Sequence, residues 1–152
     1  MTDASIMSEL HYRDPQRALV WLEQAFGFET ELLVTDADDR LVFARVGWNG
    51  GAVGVVGEDP PKGLSPASLN GAGTHALQVR FDQDIDAHLA KARAAGAVIL
   101  REPQSAFYGD RTYIAADIEG HVWMFGQRIS DAGGPPPEGW TVRFPNRGKA
   151  PA

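Results

Sequence analysis

The sequence contains no cysteine. Disulfides, thiolate metal sites and cysteine nucleophiles are therefore excluded. Positive charge is also scarce: 14 Lys and Arg stand against 20 Asp and Glu, a formal net charge of −6. Holding a nucleic-acid backbone needs clustered Lys and Arg, so no nucleic-acid partner is expected. The acidic balance favours a cationic or neutral small guest instead, although such a charge also serves solubility. No apolar run approaches the length of a membrane span. Residues 1–10 carry Asp3 and Glu9 and lack the basic start and apolar stretch of a signal peptide. No membrane partner is expected, and the expected location is cytoplasmic. Gly-x-Ser-x-Gly and other nucleophile motifs are missing. Gly50-Gly51 reads as a hairpin turn, not as a phosphate loop.

What is present is a repeated pattern. Ile6, Ser8, Leu10 and Tyr12 alternate with Met7, Glu9 and His11, which is strand periodicity. Asp14 is a good N-cap and Pro15 suits the first helical position. Ala18, Trp21, Leu22, Ala25 and Phe26 then recur at helical spacing, and Gly27 is a natural stop. Strands follow at about 28–34, 40–47 and 52–57, with Asp36–Asp39 and Asn49-Gly50-Gly51 as turns. The second copy opens with Leu77, Val79 and Phe81. A helix from about Asp84 to Gly96 comes next, then strands at about 97–102, 110–116 and 121–127. One such unit cannot bury its apolar face alone, whereas two can share a core and leave a concave surface. The organisation expected is a domain over 1–129, with module one at about 5–57, a Pro- and Gly-rich linker at 58–72, and module two at about 73–129. A C-terminal tail covers 130–152. Ala132–Gly139 holds three prolines and three glycines, so the tail is expected to be extended, although Trp140, Val142 and Phe144 alternate as on a sheet edge.

Residues 107–126 read Phe-Tyr-Gly-Asp-Arg-Thr-Tyr-Ile-Ala-Ala-Asp-Ile-Glu-Gly-His-Val-Trp-Met-Phe-Gly. This stretch resembles the closing hairpin of the vicinal oxygen chelate superfamily, which includes glyoxalase I, extradiol dioxygenases, fosfomycin resistance proteins and bleomycin resistance proteins. Tyr-Gly-Asp-Arg at 108–111 with Asp-x-Glu-Gly-His-x-Trp at 117–123 is most similar to the glyoxalase/bleomycin-resistance-like branch. Tyr-Arg-Asp at 12–14, Ala-Phe-Gly-Phe at 25–28, Asp-Ile-Asp-Ala-His at 84–88 and Ala-Ala-Gly-Ala at 94–97 also resemble it. Ile118 replaces the usual proline. The resemblance covers about residues 6–128 and implies an α+β fold of two βαβββ modules forming a curved-sheet cleft. It also implies pairing into a homodimer.

In metal-dependent members of that superfamily the cleft holds two His and two Glu. Such a site would chelate vicinal oxygens and stabilise the charge that develops. The positions that the resemblance assigns to these ligands are Met7, Ala76, Met124 and the carboxylate-free strand 52–57. A thioether is a poor donor for a hard ion. No cofactor is expected, a divalent metal is disfavoured, and His75 is the only remaining metal candidate.

The expected function is binding of a small molecule in the cleft by sequestration. The alternative is a glyoxalase-like lyase or isomerase, metal-dependent or using Glu9 and His11, a carboxylate beside an imidazole, for proton transfer. Met7, Glu9 and His11 share the polar phase of the first strand, and Gln78 and Arg80 that of the second module's. Arg80 offers an anion contact, and Asp110-Arg111 reads as an intramodule salt bridge or as a gate to the cleft, with Arg111 in the candidate ligand set. Trp48, Tyr108 and Tyr113 offer faces on which a planar guest can stack. Met124 completes the candidate ligand set. His88 is expected to be exposed, and His121 to be a structural residue of the hairpin.

Overall fold

The computed structural model of the chain describes residues 5–48, 50–131 and 133–148. Its first strand, β1 (Ser8–Tyr12), leads to α1 (Pro15–Phe26) and then β2 (Glu29–Thr35), β3 (Leu41–Trp48) and β4 (Gly51–Gly57). The pattern repeats as β5 (Ala76–Phe81), α2 (Ile85–Ala94), β6 (Val98–Ser105), β7 (Asp110–Ala116) and β8 (Val122–Arg128). The fold is α+β, two βαβββ modules, as the repeat implies. Asn49, part of the expected turn, and Ala132 lie outside the described residues.

Local chemistry sets the helix boundaries. The Asp14 carboxylate accepts from the Arg17 amide at 3.0 Å and the Asp84 carboxylate from the Ala87 amide at 3.0 Å. Each cap stabilises its helix by about 1 kcal/mol. Gly27 ends α1 at φ 74°, donating its amide to the Glu23 carbonyl; a left-handed residue here favours glycine. The linker contains one element that was not expected, a single 3-10 turn at Pro66–Leu69, capped by the Ser65 hydroxyl. No strand forms at Trp140–Phe144, although these residues alternate.

The strands form two four-stranded sheets, ordered β1-β4-β3-β2 and β5-β8-β7-β6. In each, the module's first strand pairs in parallel with its last. One face of each sheet packs on the helices. There Leu10, Tyr12, Ala44 and Val55 from sheet one and Tyr113, Ala115, Trp123 and Phe125 from sheet two are fully buried. The two modules share this core: the Phe26 ring lies 4.6 Å from Phe125 and 5.6 Å from Trp123. His88 is buried here rather than exposed. Its Nε2 donates to the Phe26 carbonyl at 2.9 Å, and Nδ1 lies 2.6 Å from the Tyr113 hydroxyl. Burial pushes the imidazole pKa down and the Tyr113 phenol up.

Candidate functional site

The signature hairpin is a joint between the modules. Asp117, 4% exposed, accepts four hydrogen bonds: the Tyr12 hydroxyl at 2.6 Å, the Trp123 indole at 3.1 Å, and the amides of Glu119 and His121, each at 3.0 Å. Burial and the nearby Asp117 charge push the Tyr12 phenol well above its ordinary pKa. Glu119 accepts from the amides of Arg13 and Asp14 at 2.6 and 3.0 Å, and from the Ser65 hydroxyl at 2.5 Å. His121 Nε2 donates to the His11 carbonyl at 2.8 Å. Gly120, at φ 97°, lets the chain turn between β7 and β8. The acidic and imidazole groups of the motif are thus engaged in holding module two against module one, and His121 has the structural part expected of it.

Chemistry with room for a guest lies on the faces away from the helices. Sheet registry sets Gln78 beside Met124 and Ile114, and Arg80 beside Gly126 and Thr112. Asp110, at the start of β7, is 1% exposed. Arg80 Nε lies 2.8 Å from its Oδ2, and Arg128 Nε 3.3 Å from its Oδ1. These residues floor a cavity of about 680 Å³ walled by Phe107 and Tyr108 and, from the tail, by Val142, Phe144 and Arg147. The tail is fastened there by the Gly134 amide on the Phe107 carbonyl and by the Trp140 ring edge-on to Phe107 at 6.2 Å. Gln78 and Arg80 also border a crevice of about 420 Å³ between the modules, together with Trp48, Val53 and Trp123.

Glu9 and His11 sit apart from this cavity. With Lys62, His75 and His121 they line a recess of about 230 Å³ under the linker. The Lys62 ammonium lies 2.6 Å from Glu9 Oε1, and this carboxylate raises the Lys62 pKa. His11 is 7% exposed, and its Nε2 has no hydrogen-bond partner among the described residues. Gly63 presses on the ring: an added Cβ would come within 2.2 Å of Nδ1.

Two candidate ligand contacts fall on the wrong side of their strand. Tyr113 is fully buried against the helices, bonded to His88. Arg111 forms a two-bond ion pair with Asp86 of α2, at 2.9 Å for both bonds, and lowers the pKa of that carboxylate. The Tyr-Ile-Ala-Ala run at 113–116 is apolar on both phases, which hides the facing of β7 from periodicity. Met124 is half-buried on the open face and Met7, 40% exposed, precedes β1. Neither borders the cavities above. The positions that the resemblance assigns to metal ligands thus present thioethers and aliphatic groups, which do not fit a hard divalent ion. Among the described residues no group of three or more His, Asp or Glu is placed to hold a metal.

Sequence reasoning missed Arg128 and the tail residues as lining of this cavity, and placed Asp110 with Arg111 rather than with Arg80 and Arg128. Asp110 and Arg128 share the phase of Arg80 once the strands are in register, so the signal was strand alternation, readable only with the pairing in hand. The tail residues offered only their short alternation.

Comparison with known proteins agrees with the fold. The sequence profile described as Glyoxalase/Bleomycin resistance protein/Dioxygenase superfamily matches residues 7–125. An uncharacterized protein of Mycobacterium bovis is 33% identical over 104 residues, 64% of this chain and 66% of its own length. The chain therefore spans just under two thirds of that curated relative. Among solved structures, TioX from Micromonospora sp. ML1 is 32% identical with a TM-score of 0.66, covering 84% of this chain and 98% of that one. TnmS3, an antibiotic binding protein from Streptomyces sp. CB03234, shares the fold at 19% identity and a TM-score of 0.64, covering 84% and 99%.

Proposed function

The chain belongs to the Glyoxalase/Bleomycin resistance protein/Dioxygenase superfamily, and from that premise we propose that it binds a planar small molecule and sequesters it without a metal. The observation that carries this reading is the cavity on the open face of sheet two. It is concave, flanked by Phe107, Tyr108 and Phe144, and floored by the polar Gln78 and Arg80. Apolar walls with a few convergent polar groups are what a small-molecule site needs, and aromatic rings give stacking surface. TnmS3 provides a precedent for an antibiotic held on this fold. The donor types at the metal positions add support. We also propose that two chains pair. Exposed apolar residues on the outer strands, Leu33 at 52% and Val98 at 57% among them, are the kind of surface a partner covers.

The acid–base alternative relies on Glu9 and His11. Their shared recess favours it, but Glu9 is bonded to Lys62, and no hydrogen bond joins it to His11 among the described residues.

The test is equilibrium dialysis of chelator-treated protein against a set of planar aromatic compounds, followed by chromatography of what is bound. Sequestration predicts saturable binding and recovery of the compound unchanged. Conversion of the compound, or stoichiometric zinc or nickel retained after dialysis against those ions, contradicts it.

A further inference from the structure

Resting on that binding reading, we propose that the guest is an acid: a planar aromatic body carrying a carboxylate, which Arg80 and Arg128 receive. The net charge of the chain is −6, so an anion is not what bulk charge favours. The cavity reverses that balance. Asp110 is the buried carboxylate of the floor, and two guanidiniums converge on it: Arg80 through Nε at 2.8 Å and Nη2 at 2.9 Å, and Arg128 through Nε at 3.3 Å. One carboxylate balances one of the two charges. On the whole lining three guanidiniums, Arg80, Arg128 and Arg147, outnumber the two carboxylates, Asp110 and Asp131, by one. A third guanidinium stands on the same sheet face. Arg101 donates to the Thr112 hydroxyl at 2.7 Å, and no carboxylate lies within ion-pair distance of it among the described residues.

Geometry directs that excess charge at a guest. The Asp110 side chain is 1% exposed, whereas those of Arg80 and Arg128 are 51% and 41% exposed. The carboxylate holds the guanidiniums from below; Arg128 Nη1 is taken by the Tyr108 and Ser130 carbonyls at 3.0 and 3.3 Å, which leaves its Nη2 and the outer edge of Arg80 for a guest. Arg80 Nη1 has no protein hydrogen-bond partner among the described residues. A guanidinium fixed in this way loses little freedom on receiving a second carboxylate, and such charge-assisted bonds are the stronger kind. The aromatic body would then lie against Tyr108 and Phe144, which border the same cavity. Asp110 is a positioning residue in this arrangement and touches no guest.

The experiment is isothermal titration of the full chain with three matched probes: 2-naphthoate, 2-naphthamide and 2-naphthylmethylamine. We expect naphthoate to bind about tenfold tighter than naphthamide, the worth of one charge-assisted contact, and the amine to bind weakest. Arg80→Gln should erase the gap between acid and amide. Asp110→Asn should narrow it, because the guanidiniums lose the ion pairs that fix them; a purely structural carboxylate would weaken acid and amide binding alike. Melting curves check that each variant folds. If Arg80→Gln does not, Arg147→Gln on the exposed tail should still lower naphthoate affinity alone. Equal binding of acid and amide, or tightest binding of the amine, overturns the anion assignment and leaves sequestration standing. Failure of all three probes to bind removes both.

Discussion

The chain builds the same module twice, and the open faces of its two sheets carry charge differently. On sheet one, pairs close one to one: Glu9 with Lys62 at 2.6 Å, and Arg45 with Glu31 at 3.1 Å. Gly54 lets the Glu9 and Phe43 side chains lie flat across that face, since an added Cβ would sit 3.0 and 3.1 Å from them. On sheet two a single buried carboxylate serves two guanidiniums, and the tail adds an aromatic wall. The repeat therefore accounts for the fold, and its unrepeated residues account for the cavity. A balanced face offers a ligand little that water does not, whereas an unbalanced and partly walled face offers charge, shape and stacking together.

The largest effect is expected where both faces depend on one joint. Asp117→Ala leaves the Tyr12 hydroxyl, the Trp123 indole and two amides without their acceptor. Urea denaturation should show a loss of about 3 kcal/mol or more. A loss under about 1 kcal/mol would mean that the hairpin does not join the modules as described.

Removing residues 131–152 sharpens the comparison from the other side. The truncated chain should melt within a few degrees of the full one, because the tail side chains Trp140, Val142 and Phe144 are 50–65% exposed. Affinity for an aromatic probe should nevertheless fall several-fold, since stacking walls contribute about 1 kcal/mol each. Unchanged affinity would move the site away from the tail.

The shared core should respond to acid. The His88 pKa lies below its ordinary value of 6.5, chiefly through burial, with the Lys91 charge adding to it. The folded state therefore binds fewer protons than the unfolded chain in the window below 6.5, and stability falls as pH drops through that window towards the folded pKa. Thermal melting between about pH 7.5 and 5 should show this slope, and His88→Gln should flatten it. An unchanged slope in the variant would assign the titration to another group.

The smallest effect belongs to sheet one. Glu9→Gln breaks an ion pair whose side chains are 32% and 57% exposed, so it should cost less than about 0.5 kcal/mol. It should also leave probe binding unchanged. Loss of turnover on any vicinal-oxygen substrate in this variant would revive the acid–base reading.

Most of the fold was legible in the sequence because each element carried its own stop and start: Asp14-Pro15 and Gly27 around α1, Asp84 and Gly96 around α2, and clean alternation in β1 and β5. Where alternation was clean, at Gln78 and Arg80, the facing was legible, and both residues border the cavity on sheet two. The facing was not legible at Arg111 and Tyr113. Asp110 and Arg111 are neighbours in sequence and opposites across the sheet, and the apolar run after Thr112 gives no phase. Arg128 and the tail residues reach the cavity only through strand pairing and a chain path that has no periodicity of its own.

The most direct measurement is a two-dimensional amide NMR titration of the chelator-treated, nitrogen-15-labelled chain with 2-naphthoate. The account predicts shifts concentrated at Gln78, Arg80, Thr112 and Gly126 on the open face of sheet two, and at Tyr108 and Phe144 around it. Shifts centred on Glu9, His11 and Gly54, or a response that appears only after a divalent metal is added, would contradict it.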